Sequence, residues 1–179
     1  EAERLVQATL KDVVTHEVGH TLGLRHNYRA STIYPLDKLS DPEFTRVHGL
    51  GGSVMDYNGF NIPLANERAG EYVMSTLGPY DYWAIEYAYR PIPPEQEAPE
   101  LARIAARSTE PLLAYASDEE TGHSDPTSVA RDLGSDPLAW AKRRILLSKE
   151  LLARSQVRTL APGESRAVLR RNYNTALGG

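Results

Sequence analysis

The sequence predicts a largely α-helical protein, and three observations support that fold class. Apolar residues recur at three- and four-residue steps, as on one face of a helix, along several stretches. These stretches cover residues 2–24, 79–89, 95–107, 137–155 and 163–176. Only residues 112–116 are predicted to be extended, and 179 residues are enough to enclose a hydrophobic core.

The first predicted helix stops at Gly23, because glycine readily adopts the left-handed conformation that terminates helices. Residues 27–52 are then predicted to form a long irregular loop or the surface of a small subdomain. The Asp41-Pro42 pair and the glycine-rich residues 49–52 interrupt any regular period there.

The later helices have clearer limits. Three prolines between residues 91 and 94 end the helix at 79–89, because proline lacks an amide proton and fixes φ. Residues 117–136 are acidic and rich in turn-forming residues. Asp136-Pro137 then begins a long helix, since aspartate is a preferred N-cap and proline is favoured at the first helical position.

Composition excludes several classes of function. The chain has no cysteine, which removes disulfides, thiolate metal sites and cysteine nucleophiles. A formal net charge of −4 gives no electrostatic support for binding nucleic acid or an anionic membrane. No apolar run approaches the ~18 residues that a membrane-spanning helix needs, and no signal peptide is visible. The chain starts at Glu1 without an initiator methionine, so we expect it to be a piece of a longer protein.

The segment His16-Glu17-Val18-Gly19-His20 carries the clearest chemical signal. Residues four positions apart lie on one face of a helix, so the two imidazoles can bind one Zn²⁺ at about 2.0–2.1 Å. Glu17 then lies beside the metal rather than on it. That position predicts a general base that accepts a proton from a water molecule activated by zinc.

The motif continues through Gly23 to His26. Gly23 lets the backbone leave the helix sharply, through a conformation with positive φ. The turn brings His26 back as a third ligand, and three imidazoles leave one coordination position open for catalysis. Three histidines, a glutamate and a glycine in this register are not expected of an ordinary surface helix.

The pattern H-E-x-x-H-x-x-G-x-x-H resembles the zinc motif of the metzincin metallopeptidases. Further segments, S-V-M-D-Y, G-P-Y-D-Y-W-A-I-E-Y and D-L-G-S-D-P-L, make the chain similar to the C-terminal catalytic part of the bacterial Met-zincin family of large zinc-dependent metalloproteases. The matching segments span most of the chain.

The resemblance implies an α+β metzincin-like catalytic domain that is largely α-helical in this fragment. Residues 1–92 would form the zinc-binding catalytic core, with the zinc helix, a loop, the methionine-containing turn and a closing helix. Residues 93–179 would form a C-terminal helical extension packed on that core. The upper sheet, whose edge strand pairs with extended substrate in metzincins, is mostly missing.

The resemblance also assigns roles after the zinc motif. Met55 would form the floor of the metal site in a Met-turn, and Tyr57 would be an auxiliary ligand or a hydrogen-bond donor to the oxyanion. The residues that follow, among them Asn58, Phe60 and Ile62, are candidates for the wall of a substrate side-chain pocket.

The predicted function is therefore that of a secreted or periplasmic bacterial zinc endopeptidase acting on peptides or proteins, completed by the N-terminal part of its parent protein. A catalytically silent zinc-binding scaffold or peptide-binding module is an alternative. A second alternative replaces His26 by a distant glutamate ligand (Glu67, Glu71 or Glu86), but leaves Gly23 and Met55 unexplained. The acidic residues 118–136 could also hold Ca²⁺, although they lack the spacing of a known calcium loop.

Overall fold

The computed structural model describes residues 2–121, 125–157 and 160–178. Its helices are α1 (Ala2–Thr21), α2 (Leu36–Leu39), α3 (Pro42–His48), α4 (Pro79–Tyr89), α5 (Glu97–Ala105), α6 (Pro137–Val157) and α7 (Ala167–Gly178). Short 3-10 helices lie at Ala30–Ile33, Pro94–Gln96, Ala106–Thr109 and Pro111–Leu113. No strand occurs in these described ranges, and the largely helical character of the chain is confirmed.

The ends of two helices follow the predicted chemistry. Gly23 has a φ of +84° and lies just after the end of α1. At the start of α6, Asp136 Oδ1 accepts hydrogen bonds from the amides of Leu138 and Ala139, at 2.9 and 3.0 Å. Both ends therefore result from local sequence, as the helix-capping rules predict.

Three details of the prediction are wrong. Residues 27–52 contain α2, α3 and a 3-10 helix rather than one irregular loop; Asp41 caps α3 by accepting from the Glu43 amide at 3.0 Å. Pro111–Leu113 form a 3-10 helix, so the extended segment predicted for residues 112–116 begins only at Ala114 (φ −52°, ψ +136°) and forms no strand. Helix α7 begins at Ala167 rather than 163, since Gly163 has a φ of +83°, which does not fit inside a right-handed helix.

The hydrophobic core lies under the C-terminal end of α1 and takes residues from both sides of residue 92. It consists of Leu39, Leu50, Val54, Met55, Met74, Leu133 and Trp140. Residues from the C-terminal half of the chain therefore pack beside those that support the zinc motif.

The outer face of α1 is apolar and open. Five apolar residues of α1 and Leu22 directly after it are each at least 41% exposed; the five are Val6, Leu10, Val13, Val14 and Val18. The inner face of α1 carries the histidines toward the core. Among the described helices, none is long and apolar enough to cross a membrane.

Candidate metal centre

Helix α1 places His16 and His20 one turn apart on its inner face. Gly19, between them, allows the helix to approach the core closely, because a Cβ atom at this position would overlap Met55 Sδ. Met55 is fully buried and therefore packs directly beneath the histidine-bearing turn of α1. Any larger residue at position 19 would push Met55 and the helix apart.

His26 returns to the other two histidines through the turn at Gly23. The Leu24 amide donates to Gly19 O at 3.1 Å, and the Asn27 amide donates to Met55 O at 3.0 Å, which fixes the chain on either side of the third histidine. One ligand atom from each of His16, His20 and His26 lies within 4.8 Å of the others. The three predicted metal ligands are therefore brought together.

In each imidazole ring, Nδ1 has an oxygen partner. His16 Nδ1 lies 2.8 Å from Val54 O, and His20 Nδ1 lies 2.9 Å from Leu24 O. His26 Nδ1 lies 2.8 Å from a carboxylate oxygen of Asp118. Carbonyl and carboxylate oxygens only accept, so the ring proton is assigned to Nδ1 in all three rings and the Nε2 atoms keep their lone pairs.

The Nε2 atoms converge without enough donors to satisfy them. His20 Nε2 and His26 Nε2 are 3.2 Å apart, and His16 Nε2 is buried with no hydrogen-bond partner among the described residues. Two lone pairs repel at this distance unless a cation lies between them. The donor set, three neutral imidazoles with fixed tautomers, fits a zinc ion.

Burial lowers the pKa of His16, because desolvation disfavours the charged imidazolium; the Val54 carbonyl opposes this shift. A neutral ring is the form that binds a metal ion. The position of His16 against the core therefore favours the metal-binding state.

Asp118 is a site residue that the sequence reasoning placed only in a general acidic stretch. Its Oδ1 also accepts from the Tyr28 hydroxyl at 3.2 Å, and the hydrogen bond from His26 lowers the pKa of Asp118 below its usual value. One guanidinium nitrogen of Arg25 lies 3.6 Å from Asp118 Oδ2 and 2.7 Å from Glu119 Oε1. Because Asp118 and His26 are far apart in sequence, no local pattern marks their contact.

Tyr57 lies against the histidines. Its ring stacks on His16 with centroids 4.7 Å apart, and its hydroxyl oxygen is 3.1 Å from His26 Nε2. Since that nitrogen is an acceptor, the Tyr57 hydroxyl donates to it in this structure. The hydroxyl is thus close to the position that a metal ion would take.

Residues 53–55 are held by Asp81 of α4. The Asp81 carboxylate accepts from Ser53 Oγ at 2.5 Å and from the Val54 amide at 3.0 Å. It also accepts from the Gly78 amide at 2.7 Å, which fixes the start of α4. The Val54 carbonyl that holds His16 therefore belongs to a residue whose amide is itself anchored.

A pocket of about 850 Å³ opens beside the histidines. His16, Glu17 and Tyr57 lie along it, and so do the predicted pocket residues Asn58 and Phe60. Ile62 does not line this pocket; its carbonyl accepts from Arg143 at 2.9 Å instead.

The other candidate ligands lie elsewhere. Glu67 forms an ion pair with Arg143, and Glu86 pairs with Arg90. Within the described ranges, the three histidines are the only group of at least three histidine or acidic side chains placed to share a metal ion. This geometry gives no support to a glutamate as third ligand or to an all-acidic calcium site at 118–136.

A comparison with known protein families gives one match: the model of a family described as Met-zincin matches residues 1–178. No curated protein and no solved structure matches the chain.

Proposed function

Because the chain belongs to the Met-zincin family, we propose that it is the metal-binding and catalytic segment of a zinc-dependent endopeptidase. Membership of this family implies a metallopeptidase. The observation that carries the proposal is the convergence of three Nε2 lone pairs from rings whose Nδ1 atoms are all held by oxygen acceptors.

His16, His20 and His26 would hold the zinc ion. When bound, zinc supplies Lewis acidity, which lowers the pKa of a water molecule and polarises the carbonyl of the scissile peptide bond. The hydrogen bonds at Nδ1 orient the three rings before the ion arrives, so little reorganisation accompanies binding.

Glu17 acts as the general base in this proposal. It follows His16 directly on α1, and it lines the same pocket as His16 and Tyr57. A carboxylate at that place accepts a proton from the attacking water and then donates it to the leaving amine. The water adds to the carbonyl carbon and the C–N bond breaks, so the two products are a carboxylate and an amine.

Tyr57 is proposed to stabilise the oxyanion. Its hydroxyl already donates to His26 Nε2 at 3.1 Å, and a metal ion would take that lone pair. The hydroxyl would then be available to donate a hydrogen bond to the negative charge that develops on the carbonyl oxygen. Met55, packed beneath α1, would be the floor of the site, as in a Met-turn.

The pocket is proposed to bind the substrate beside the scissile bond. Phe60 supplies an exposed apolar wall, and Asn58, whose side-chain amide is buried, lies along the same opening as Glu17. An apolar substrate side chain would contact the ring of Phe60. The test is the preference of the enzyme in a library of fluorogenic peptides that vary on either side of the cleaved bond.

The proposed reaction is tested with Glu17→Gln in the zinc-loaded full chain. We expect peptide hydrolysis to fall by about 10²–10⁴-fold, the usual contribution of a general base, while one zinc ion per chain remains bound. Zinc content is measured by atomic absorption, and turnover by the release of a fluorophore from a quenched peptide.

Glu43→Gln is the matched control, because Glu43 is exposed and pairs with Arg46 on its own helix. Its activity should equal that of the unmodified chain. Normal turnover in Glu17→Gln would remove Glu17 from the mechanism, and zinc binding without turnover in a chain that also carries the predicted N-terminal part would favour the scaffold alternative.

A further inference from the structure

Behind residues 53–57, two carboxyl groups are buried together. Asp56 is 5% exposed and Asp132 is 6% exposed. The backbone amide of Ser31 donates to Asp56 Oδ2 at 2.7 Å, and the Ser31 side chain lies close enough to influence both carboxyl groups. The three side chains thus form one cluster, the Asp56–Asp132–Ser31 cluster, and Asp56 also lies along the pocket beside His16.

Backbone hydrogen bonds hold the cluster together. The Arg131 amide donates to Tyr57 O at 2.7 Å, and the Gly59 amide donates to Asp132 O at 3.1 Å. The Gly134 amide donates to Ser31 O at 3.0 Å. These bonds attach the loop that carries Asp132 to both of the other segments.

Arg131 has an unusual backbone conformation. Its φ is +68°, the only positive value at a non-glycine residue in the part of the chain described. L-amino acids avoid this region unless the surrounding structure imposes it. Here the strained residue directly precedes Asp132 and directs the loop so that Asp132 reaches Asp56.

The cluster contains oxygen atoms that are buried without hydrogen-bond partners. They are Asp56 Oδ1, Asp132 Oδ1 and Ser31 Oγ; among the described residues, Asn58 Oδ1, Ser128 Oγ and the donors Asn58 Nδ2 and Arg29 Nε are also buried without partners. Ser31 Oγ interacts with both carboxyl groups and lowers the pKa of each, although neither contact has the geometry of a full hydrogen bond. An unpaired buried carboxylate is costly, so atoms arranged in this way point to a missing positive partner.

Burial raises the pKa of Asp56 well above its usual value, and the like charge of Asp132 raises it further. Burial also raises the pKa of Asp132, to about 6. One shared proton would relieve the repulsion, but it would satisfy only part of this set of oxygen atoms.

We propose that Asp56, Asp132 and Ser31 bind a calcium ion at a second metal site, separate from the three histidines. The donors are all oxygen atoms, which calcium prefers, whereas zinc prefers nitrogen and sulfur. Two carboxylates balance the charge of a divalent ion. Calcium tolerates an irregular set of ligands, while magnesium requires a nearly regular octahedron and keeps most of its water.

The position of this site gives it a role. Asp56 lies between Met55 and Tyr57, so an ion bound to Asp56 would fix the segment that supports the three histidines. It would also join residues 30–58 to the loop at 128–134. The site does not depend on peptide hydrolysis, and its test does not require an active enzyme.

The first test is a calcium titration of the zinc-loaded full chain, followed by calorimetry and by thermal unfolding. We expect one calcium ion per chain, with a Kd between about 10⁻⁶ and 10⁻³ M. Saturating calcium should raise Tm by about 5 °C, and magnesium should bind more weakly. No saturable binding below about 10 mM calcium would overturn the proposal, because the range for protein calcium sites ends near 10⁻³ M.

The second test compares Asp132→Asn with Asp37→Asn. Asp37 is exposed on α2, so its substitution removes the same charge without touching the cluster. We expect Asp132→Asn to weaken calcium binding at least ~10-fold, because one of two charged ligands is lost, and Asp37→Asn to leave it unchanged. Unchanged affinity in a folded Asp132→Asn chain, as judged by circular dichroism, would overturn the proposal.

A third measurement covers the case in which Asp132→Asn does not fold. Terbium replaces calcium at oxygen sites and emits when an aromatic side chain close by is excited. Trp140 is suitably placed, since its Cζ2 lies 2.9 Å from the position of a Cβ on Gly59, next to the cluster. Sensitised emission from the unmodified chain that calcium displaces would support the site. Its absence, or emission unchanged in the milder variant Ser31→Ala, would contradict it.

Discussion

The three histidines of the metal centre are supported in two different ways. His16 and His20 are held by main-chain carbonyls, those of Val54 and Leu24. His26 is held by a side chain, the carboxylate of Asp118, which lies in the second half of the chain. We call the first two the main-chain-held ligands and His26 the side-chain-held ligand.

The difference shows which parts of the site depend on particular residues. A carbonyl remains when its side chain is changed, so the main-chain-held ligands depend on how the backbone folds. The side-chain-held ligand depends on one carboxylate, and that carboxylate belongs to the loop that joins α5 to α6. The C-terminal half of the chain therefore takes part in the metal centre as well as in the core.

The largest expected effect is the loss of a ligand of either kind. His20→Ala and His26→Ala should each weaken zinc binding by roughly 10²–10³-fold, if the binding energy of structural zinc is divided among its ligands. Competition with a chromophoric chelator measures the affinity. A value for His26→Ala equal to that of the unmodified chain would show that the third ligand lies elsewhere.

The next effect separates the two kinds of support. Asp118→Ala should weaken zinc binding by about 10–100-fold, as is usual when the hydrogen-bond partner of a metal ligand is removed. Leu24→Ala keeps the carbonyl that holds His20, so it should change the affinity less than ~3-fold. Equal losses in the two variants would mean that the distinction between main-chain and side-chain support has no consequence for binding.

The loop that joins α5 to α6 carries Asp132 as well as Asp118. The pH dependence of the stability tests how much Asp132 contributes. The folded state raises the pKa of Asp56 and of Asp132, so it binds more protons than the unfolded state. Without divalent cations, the resulting stability is complete below pH ~4 and is lost as the pH rises through about 6, the value for Asp132.

This pH effect is measured by urea unfolding at several pH values in the unmodified chain and in Asp132→Asn, which takes account of the histidines common to both. The difference in the free energy of unfolding between the two chains should change as the pH rises from ~4 to about 6 and then level off. Calcium should reduce the loss of stability at higher pH. A difference that does not vary with pH would mean that Asp132 titrates normally.

The smallest effect on zinc affinity is expected at Arg25, which lies beside Asp118, the partner of His26. Arg25 pairs with Glu119 and lies near Asp118, but all three side chains are about half exposed or more. Exposed ion pairs contribute little, so Arg25→Ala should change zinc affinity by less than about twofold at physiological salt. A tenfold loss would show that Arg25 fixes the orientation of Asp118.

The sequence predicted those features that depend on neighbouring residues. The order of histidines, glutamate and glycine identifies the three residues that converge. The capping rules identify the C-terminal end of α1 and the start of α6. Asp136-Pro137 and Asp41-Pro42 have the same capping pattern, but only the first is followed by a periodic stretch long enough to predict a helix; Asp41-Pro42 nevertheless begins α3. Helix α3 is short, and short helices give too few turns for a periodic pattern to be recognised.

Contacts between distant residues could not be predicted in this way. The approach of Asp118 to His26, and of Asp132 to Asp56, depends on how the loop between α5 and α6 returns across the first half of the chain. A sequence of acidic and turn-forming residues does not determine that path. The division at residue 92 stays a prediction, but hydrogen bonds that support the third ligand cross it.

The anchoring of Val54 has an evolutionary consequence. Asp81 binds the Val54 amide and the Val54 carbonyl binds His16, so a residue of α4 and a metal ligand of α1 are joined through one amino acid. We therefore expect selection that preserves His16 to act also on Asp81, which lies outside the zinc motif. Among descendants of a common ancestor, we expect position 81 to vary as little as the histidines themselves.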